Sequence, residues 1–156
     1  MSIATIEKTL SYEEERGKPM PSRNHSVVQV NLGGEFLRNQ DFRVHSELTL
    51  EIHGKPVTPD LSLYPRTPVD WRHDVPRAAD PPLLVVEITS PQQPTQDVLD
   101  KVDLYFAFGV KSCWIVWPAT RSIQILTADG REIIVTSGTA TDPVTGITAN
   151  LAAVFS

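Results

Sequence analysis

Residues 83–117 read LLVVEITSPQQPTQDVLDKVDLYFAFGVKSCWIVW, and this stretch decides the fold. Residues 83–88 are almost entirely apolar, which predicts a strand covered on both faces. A helix is predicted from residue 94 or 95 to residue 108, because apolar residues recur on one face and Gly109 follows as a helix-ending residue. Residues 113–117 form a second apolar strand. A strand, a helix and a strand in this order predict a right-handed parallel crossover inside a mixed sheet.

The segments on either side complete an α/β domain. Val28, Leu32 and Phe36 recur at helical spacing and predict a helix that starts at Asn24 or Ser26, although Gly33 and Gly34 weaken it. The remaining elements are a strand over 42–52, a turn at 53–56, a strand over about 57–64, a long surface loop over 65–82, a hairpin around Asp129-Gly130, and a closing strand or short helix over 146–155. The expected fold is one three-layer α/β domain over 1–156, with a mixed central sheet flanked by helices.

Composition excludes several classes of protein. The chain has 156 residues and a formal net charge of −5, so it is not expected to coat nucleic acid non-specifically. Its one cysteine, Cys113, permits no internal disulfide and no multi-cysteine zinc site, and it lies in an apolar run that predicts a buried thiol. Neither a membrane span nor a signal peptide is evident. We therefore expect a soluble cytoplasmic protein that does not associate with membranes.

Two acidic residues occupy unusual places in the predicted sheet. Glu87 interrupts an apolar strand, and burying a lone carboxylate is costly unless it is paired or holds a metal. The alternative is that Glu87 stands at a strand end and faces water or a lysine. Asp60 follows Pro59 at the start of another strand, which is also a common turn sequence. Taken separately, each acid has an ordinary structural explanation.

The helix after Glu87 carries three further polar candidates. Asp97 and Lys101 are four residues apart, so an exposed helical ion pair is the simplest interpretation, and Tyr105 one turn later is equally compatible with the core. Together with two acids on neighbouring strands, a lysine suits a site that holds a divalent ion against a phosphodiester. Magnesium takes oxygen ligands and keeps several waters, so an aspartate, a glutamate and a backbone carbonyl suffice.

The order of these motifs resembles the Uma-type restriction endonuclease family of the PD-(D/E)xK nuclease superfamily, over nearly the whole chain. Pro59-Asp60 corresponds to the superfamily's PD, and 86–91 (VEITSP) corresponds to its acidic strand. The other matching residues are Tyr12-Glu13, Gly17, Met20-Pro21, His25, Asp97, Lys101, Tyr105, Gly109-Val110, Trp114-Ile115-Val116, Gly146-Ile147 and the tail from Leu151 to Phe155. PD alone is a weak signal, whereas the ordered set is specific.

The resemblance implies a metal-dependent endonuclease that cleaves DNA, with Mg²⁺ or Mn²⁺ as the cofactor. Asp60, Glu87, the backbone carbonyl of Ile88 and Glu13 are the implied metal ligands, and Lys101 is the implied catalytic cation. Supporting roles are predicted for three residues, namely His25, Asp97 and Tyr105. His25 is expected either to bond to Glu13 or to cap the helix that follows it. Because duplex DNA has two strands and each chain one site, a homodimer is expected.

This chain departs from the family pattern at two positions. The superfamily usually has a lysine two residues after the second acid, where this chain has Thr89, so Lys101 on the next helix is the expected substitute. The family often has an aspartate before the proline that follows the Trp-Ile-Val strand, where this chain has Trp117. The missing lysine and the acidic net charge leave a second hypothesis open. In that hypothesis the fold is a weak or inactive nuclease-like module that serves nucleic-acid binding or protein interaction.

Overall fold

The computed structural model describes Glu14 and residues 20–156. The long helices are α1 (Arg23–Leu37) and α2 (Thr95–Phe108), and a short helix α3 (Leu151–Val154) ends the chain. The strands are β1 (Phe42–Ser46), β2 (Leu50–Ile52), β3 (Lys55–Val57), β4 (Leu61–Pro65), β5 (Leu84–Ile88), β6 (Ser112–Trp117), β7 (Ser122–Thr127), β8 (Glu132–Val135), β9 (Thr139–Thr141) and β10 (Thr148–Asn150).

Six of these strands form one mixed sheet in the order β1-β4-β5-β6-β7-β8. β5 and β6 pair in parallel, with Glu87 opposite Ile115, and every other neighbouring pair is antiparallel. This confirms the parallel crossover expected from the sequence of 83–117. The predicted hairpin is confirmed as well, because β7 and β8 flank Gly130, which has a φ of 91°.

Helices cover both faces of the sheet. α1 and α3 pack on one face through a core that includes Leu32, Phe36 and Trp114, and α2 packs on the other face through Val98, Val102 and Tyr105. The apolar side chains of β5 alternate between these two cores, which is why the strand reads as a continuous apolar run. The three-layer α/β fold predicted from sequence is therefore confirmed. Within the part of the chain that the structure describes, no helix is long and apolar enough to cross a membrane.

Two predicted strands are each divided in the structure. The predicted strand over 42–52 becomes β1 in the main sheet and β2 in a separate hairpin with β3, because Glu47 turns the chain with a φ of 52°. The predicted strand over about 57–64 is likewise split into β3 and β4 by residues 58–60. Both breaks lie beside Asp60, since the Glu47 amide donates to the Asp60 carbonyl oxygen at 3.0 Å. Both strand breaks therefore lie at the same end of the main sheet, and Asp60 lies at that end.

The end of the chain contains more regular structure than the sequence predicted. β9 and β10 pair as a small antiparallel ribbon, and α3 follows directly, so the tail holds both a strand and a short helix. Buried Asp142 organises the connection between the two strands. Its carboxylate accepts hydrogen bonds from the Ser112 hydroxyl (3.1 Å), the Trp114 indole (3.0 Å) and the Thr145 amide (2.7 Å). Asp142 therefore connects the β9–β10 ribbon to β6 through side-chain hydrogen bonds.

Candidate active site

Asp60 is completely buried immediately before β4. Its backbone amide donates to the Val86 carbonyl oxygen at 3.1 Å, and its Oδ2 accepts a hydrogen bond from the Ile88 amide at 2.7 Å. Asp60 is therefore hydrogen-bonded to the residues on both sides of Glu87. The two acids that the sequence singled out lie together at the carboxyl end of β5.

Glu87 is only 2% exposed and accepts a hydrogen bond from the Tyr105 hydroxyl on α2, with 2.5 Å between Oε1 and the phenolic oxygen. Burial raises the pKa of Tyr105 well above its ordinary value of 10.0, and the adjacent Glu87 carboxylate raises it further. The Asp60 carboxylate raises the pKa of Tyr105 in the same direction. Because a raised pKa keeps the phenol protonated, Tyr105 remains a donor that fixes one oxygen of Glu87.

His25 approaches Asp60 from the opposite face of the sheet. It lies in the first turn of α1, is 1% exposed, and places Nε2 3.1 Å from Asp60 Oδ1. The helix is capped by Ser22, whose side chain accepts from the His25 amide, so the expectation that His25 caps the helix is wrong. The other alternative, a bond to Glu13, lies outside the described residues. Within those residues, Nδ1 of His25 is buried and has no hydrogen-bond partner.

The other predicted site residues, Lys101, Asp97 and Glu13, differ in exposure and in whether the structure describes them. Lys101 is partly exposed on α2, one turn before Tyr105 on the same helix face. Asp97 is exposed in the first turn of α2, whereas Asp60 and Glu87 are buried. Glu13, like every residue from 1 to 13, lies outside the described part of the chain. The site roles of these three residues stay predictions.

Sequence reasoning missed one side chain beside Asp60. Gln29 on α1 donates from Nε2 to the Asp60 backbone oxygen at 3.2 Å, the same oxygen that accepts from the Glu47 amide. The signal was available, because Gln29 follows His25 by four residues and therefore shares its helix face. The Glu47 contact had no such signal, since nothing in its local pattern predicts a left-handed backbone at that residue.

The donor set suits a hard divalent cation. Asp60 and Glu87 are neighbouring carboxylates, each at most 2% exposed, and a cation offsets the repulsion between two buried negative charges. Oxygen ligands of this kind are those that Mg²⁺ and Mn²⁺ take. Among the residues that the structure describes, however, no group of three or more His, Cys, Asp or Glu side chains is arranged to hold a metal. Glu13, the predicted third carboxylate, lies outside the described residues.

The three-layer fold is that of a restriction-endonuclease-like domain. A solved structure with a similar fold is described as "a putative nuclease belonging to DUF820 from Anabaena variabilis ATCC 29413"; it aligns with a TM-score of 0.73 and 20% identity, over 88% of this chain and 83% of that one. A family model described as "Uma2: Putative restriction endonuclease" matches residues 11–152. The chain belongs to the Uma2 family, which supports a nuclease. No curated protein matches the chain.

Proposed function

We propose that the protein is a metal-dependent endonuclease that hydrolyses phosphodiester bonds of DNA and leaves 3′-hydroxyl and 5′-phosphate ends. Asp60, Glu87 and the Ile88 carbonyl would hold Mg²⁺ or Mn²⁺, and Glu13 would contribute a further carboxylate. When bound, the cation supplies Lewis-acid polarisation of the phosphate and activation of the attacking water. The main support for the proposal is the pair of buried carboxylates, Asp60 and Glu87. The Asp60 carboxylate accepts a hydrogen bond from the amide of Ile88, the residue that follows Glu87.

The surrounding side chains have separate tasks in this proposal. Tyr105 and His25 each hold one carboxylate oxygen of the pair, so both acids are oriented before any ligand arrives. Such preorganisation matters because binding or catalytic geometry is lost when side chains must reorder. The Lys101 ammonium, one turn along α2 from Tyr105, stabilises the negative charge that develops on the phosphate.

The test compares metal binding with cleavage in matched variants. Asp60→Asn and Glu87→Gln keep the side-chain volume and remove a charge, and Asp100→Asn, an exposed acid on α2, is the control. Plasmid and single-stranded DNA are incubated with Mg²⁺ or Mn²⁺, and Mn²⁺ binding is measured by calorimetry. We expect both site variants to lose metal binding and at least about 10²-fold of the cleavage rate, with the control unchanged. Metal-dependent cleavage that survives Asp60→Asn would refute the assignment.

A second candidate function is a nuclease-like binding module without activity. One observation favours it: Thr89 stands at the position of the usual lysine and its hydroxyl donates to the Val116 carbonyl oxygen at 3.2 Å, so this position supplies no cation. Lys101→Gln separates the two functions. An active enzyme would lose cleavage and keep Mn²⁺ affinity, whereas an inactive module would show no cleavage before or after the change.

We also propose that the protein acts as a homodimer, because one site per chain cuts one strand of a duplex. Light scattering after size-exclusion chromatography measures the mass directly. A monomer that introduces double-strand breaks would contradict this proposal.

A further inference from the structure

A cleft of about 530 Å³ lies beside the candidate active site. One wall is the start of α1, with Ser22, Arg23 and Asn24, and the other is the segment after β5, with Thr89 and Ser90. Both walls continue directly into the site, because His25 follows the first wall in sequence and Glu87 precedes the second by two residues. The cleft therefore borders the end of β5 that carries Glu87, although neither Asp60 nor Glu87 is among its lining residues.

The cleft is free of acidic side chains, in a chain whose net charge is −5. A second cavity of about 370 Å³ shares Arg23, Asn24 and Pro118 with it, adds Arg121, and also contains no aspartate or glutamate. Both arginines are exposed, and no acid among the described residues forms an ion pair with either. The two cavities thus form one surface that presents two guanidinium groups to an anion.

Two further side chains make this surface suitable for a nucleotide. Trp117 lines the cleft beside Pro118, and its indole Nε1 donates to Gln124 Oε1 at 3.3 Å, which holds the ring in place. Gln93 also lines the cleft, and its Nε2 is a buried donor with no partner within residues 20–156. An aromatic face next to donors and guanidinium groups is the combination with which proteins bind single-stranded nucleic acid.

We propose that this surface, formed by Arg23, Trp117 and Arg121, binds one single-stranded segment of nucleic acid. Arg23 and Arg121 contact its phosphates, a base stacks on Trp117, and the segment leads into the acid pair. The inference rests on the proposed nuclease function for its biological meaning, but binding itself needs neither metal nor catalysis. It also gives a role to the tryptophan that stands where the family often has an aspartate.

The experiment is a binding titration with a short fluorescein-labelled oligothymidylate in buffer that contains EDTA. Fluorescence anisotropy is recorded over a range of salt concentrations for wild type, Arg23→Gln, Arg121→Gln, Trp117→Ala and Trp117→Phe. The matched controls are Arg72→Gln and Trp71→Ala, an exposed arginine and an 88% exposed tryptophan on the loop between β4 and β5. Circular dichroism verifies that each variant folds, and Trp117→Phe retains an aromatic ring if Trp117→Ala does not fold.

Each substitution has its own expected signature. Arg23→Gln and Arg121→Gln should each weaken binding about fivefold and reduce the slope of log K against log salt by about 0.7, the value for one phosphate on a single strand. Trp117→Ala should weaken binding about tenfold without changing that slope, and Trp117→Phe should restore most of the loss. The loop controls should match wild type.

The possible failures are distinguishable. Absence of binding by wild type, unchanged slopes in the arginine variants, or equal losses in the loop controls would each overturn the cleft proposal. Binding that shows the expected signatures, in a protein that never cleaves with Mg²⁺ or Mn²⁺, would support the cleft and refute the nuclease. Cleavage that is indifferent to Arg23 and Trp117 would support the nuclease and refute the cleft.

Discussion

Replacing Tyr105 with phenylalanine tests whether its hydroxyl holds the site together. The ring is fully buried and stays packed in the variant, so the change removes only the hydrogen bond to Glu87 and opens no large cavity. A hydrogen bond to a charged group contributes about 1.5–3 kcal/mol, and a buried carboxylate that loses its donor is costly. We therefore expect Tyr105→Phe to lower the free energy of unfolding by about 2 kcal/mol in metal-free buffer.

Urea denaturation followed by circular dichroism measures this change, with Tyr64→Phe as the matched control. The Tyr64 hydroxyl donates to a neutral acceptor, the Asp80 carbonyl oxygen, in a partly exposed position, so its loss should cost only about 0.5 kcal/mol. Combining Tyr105→Phe with Glu87→Gln should give a coupling energy of at least about 1 kcal/mol. Calorimetry should also show Mn²⁺ affinity falling by about tenfold in Tyr105→Phe, because Glu87 is no longer oriented. If Tyr105→Phe costs no more than Tyr64→Phe and leaves Mn²⁺ affinity unchanged, the positioning role is wrong.

Two further predictions concern stability. Gly34→Ala should stabilise the protein by about 0.5–1 kcal/mol, because Gly34 lies within α1 with open space around its missing Cβ; a thermal melt that shows destabilisation would contradict this. Burial raises the pKa values of Tyr105 and Cys113 well above 10.0 and 9.0, so both stay protonated in the fold while their unfolded counterparts ionise. Stability should consequently be intact below about pH 9 and decline above it, by up to about 1.4 kcal/mol per pH unit for each group. Urea titrations of wild type and Tyr105→Phe across this range measure the decline, which should be shallower in the variant.

The sequence predicted the central crossover because every local signal there agrees with the tertiary structure. β5 is apolar on both faces, α2 ends at Gly109 with a φ of 114°, and β6 is apolar again. The breaks within the strands predicted over 42–52 and about 57–64 were not predicted, because the alternation of apolar and polar residues continues across them. Leu48, Leu50 and Ile52 continue the pattern of a strand whether or not the backbone changes sheet.

The candidate site was only partly predictable for a related reason. Glu87 was visible as a carboxylate in an apolar strand, and Asp60 became informative only through the order of motifs around it. The partner of His25 was not predictable, because a contact between residues 25 and 60 depends on how α1 crosses the end of the sheet. The local sequence pattern identifies polar side chains in unusual positions. Which of these side chains come into contact depends on how the helices pack on the two faces of the sheet.

The broken strands and the buried acids are connected. The Asp60 amide keeps a backbone bond to the Val86 carbonyl oxygen of β5, whereas in an uninterrupted sheet the Ile88 amide would also bond to a backbone oxygen. Here the chain turns at Glu47 and at residues 58–60, so the Asp60 carboxylate accepts the Ile88 amide. The Asp60 carbonyl in turn takes donors from Glu47 and Gln29. The Ile88 amide at the end of β5 is thereby satisfied by a side chain rather than by a backbone carbonyl, which holds an acid beside Glu87. The strand breaks at Glu47 and residues 58–60, which the apolar–polar alternation does not reveal, thus place Asp60 next to Glu87 in the candidate site.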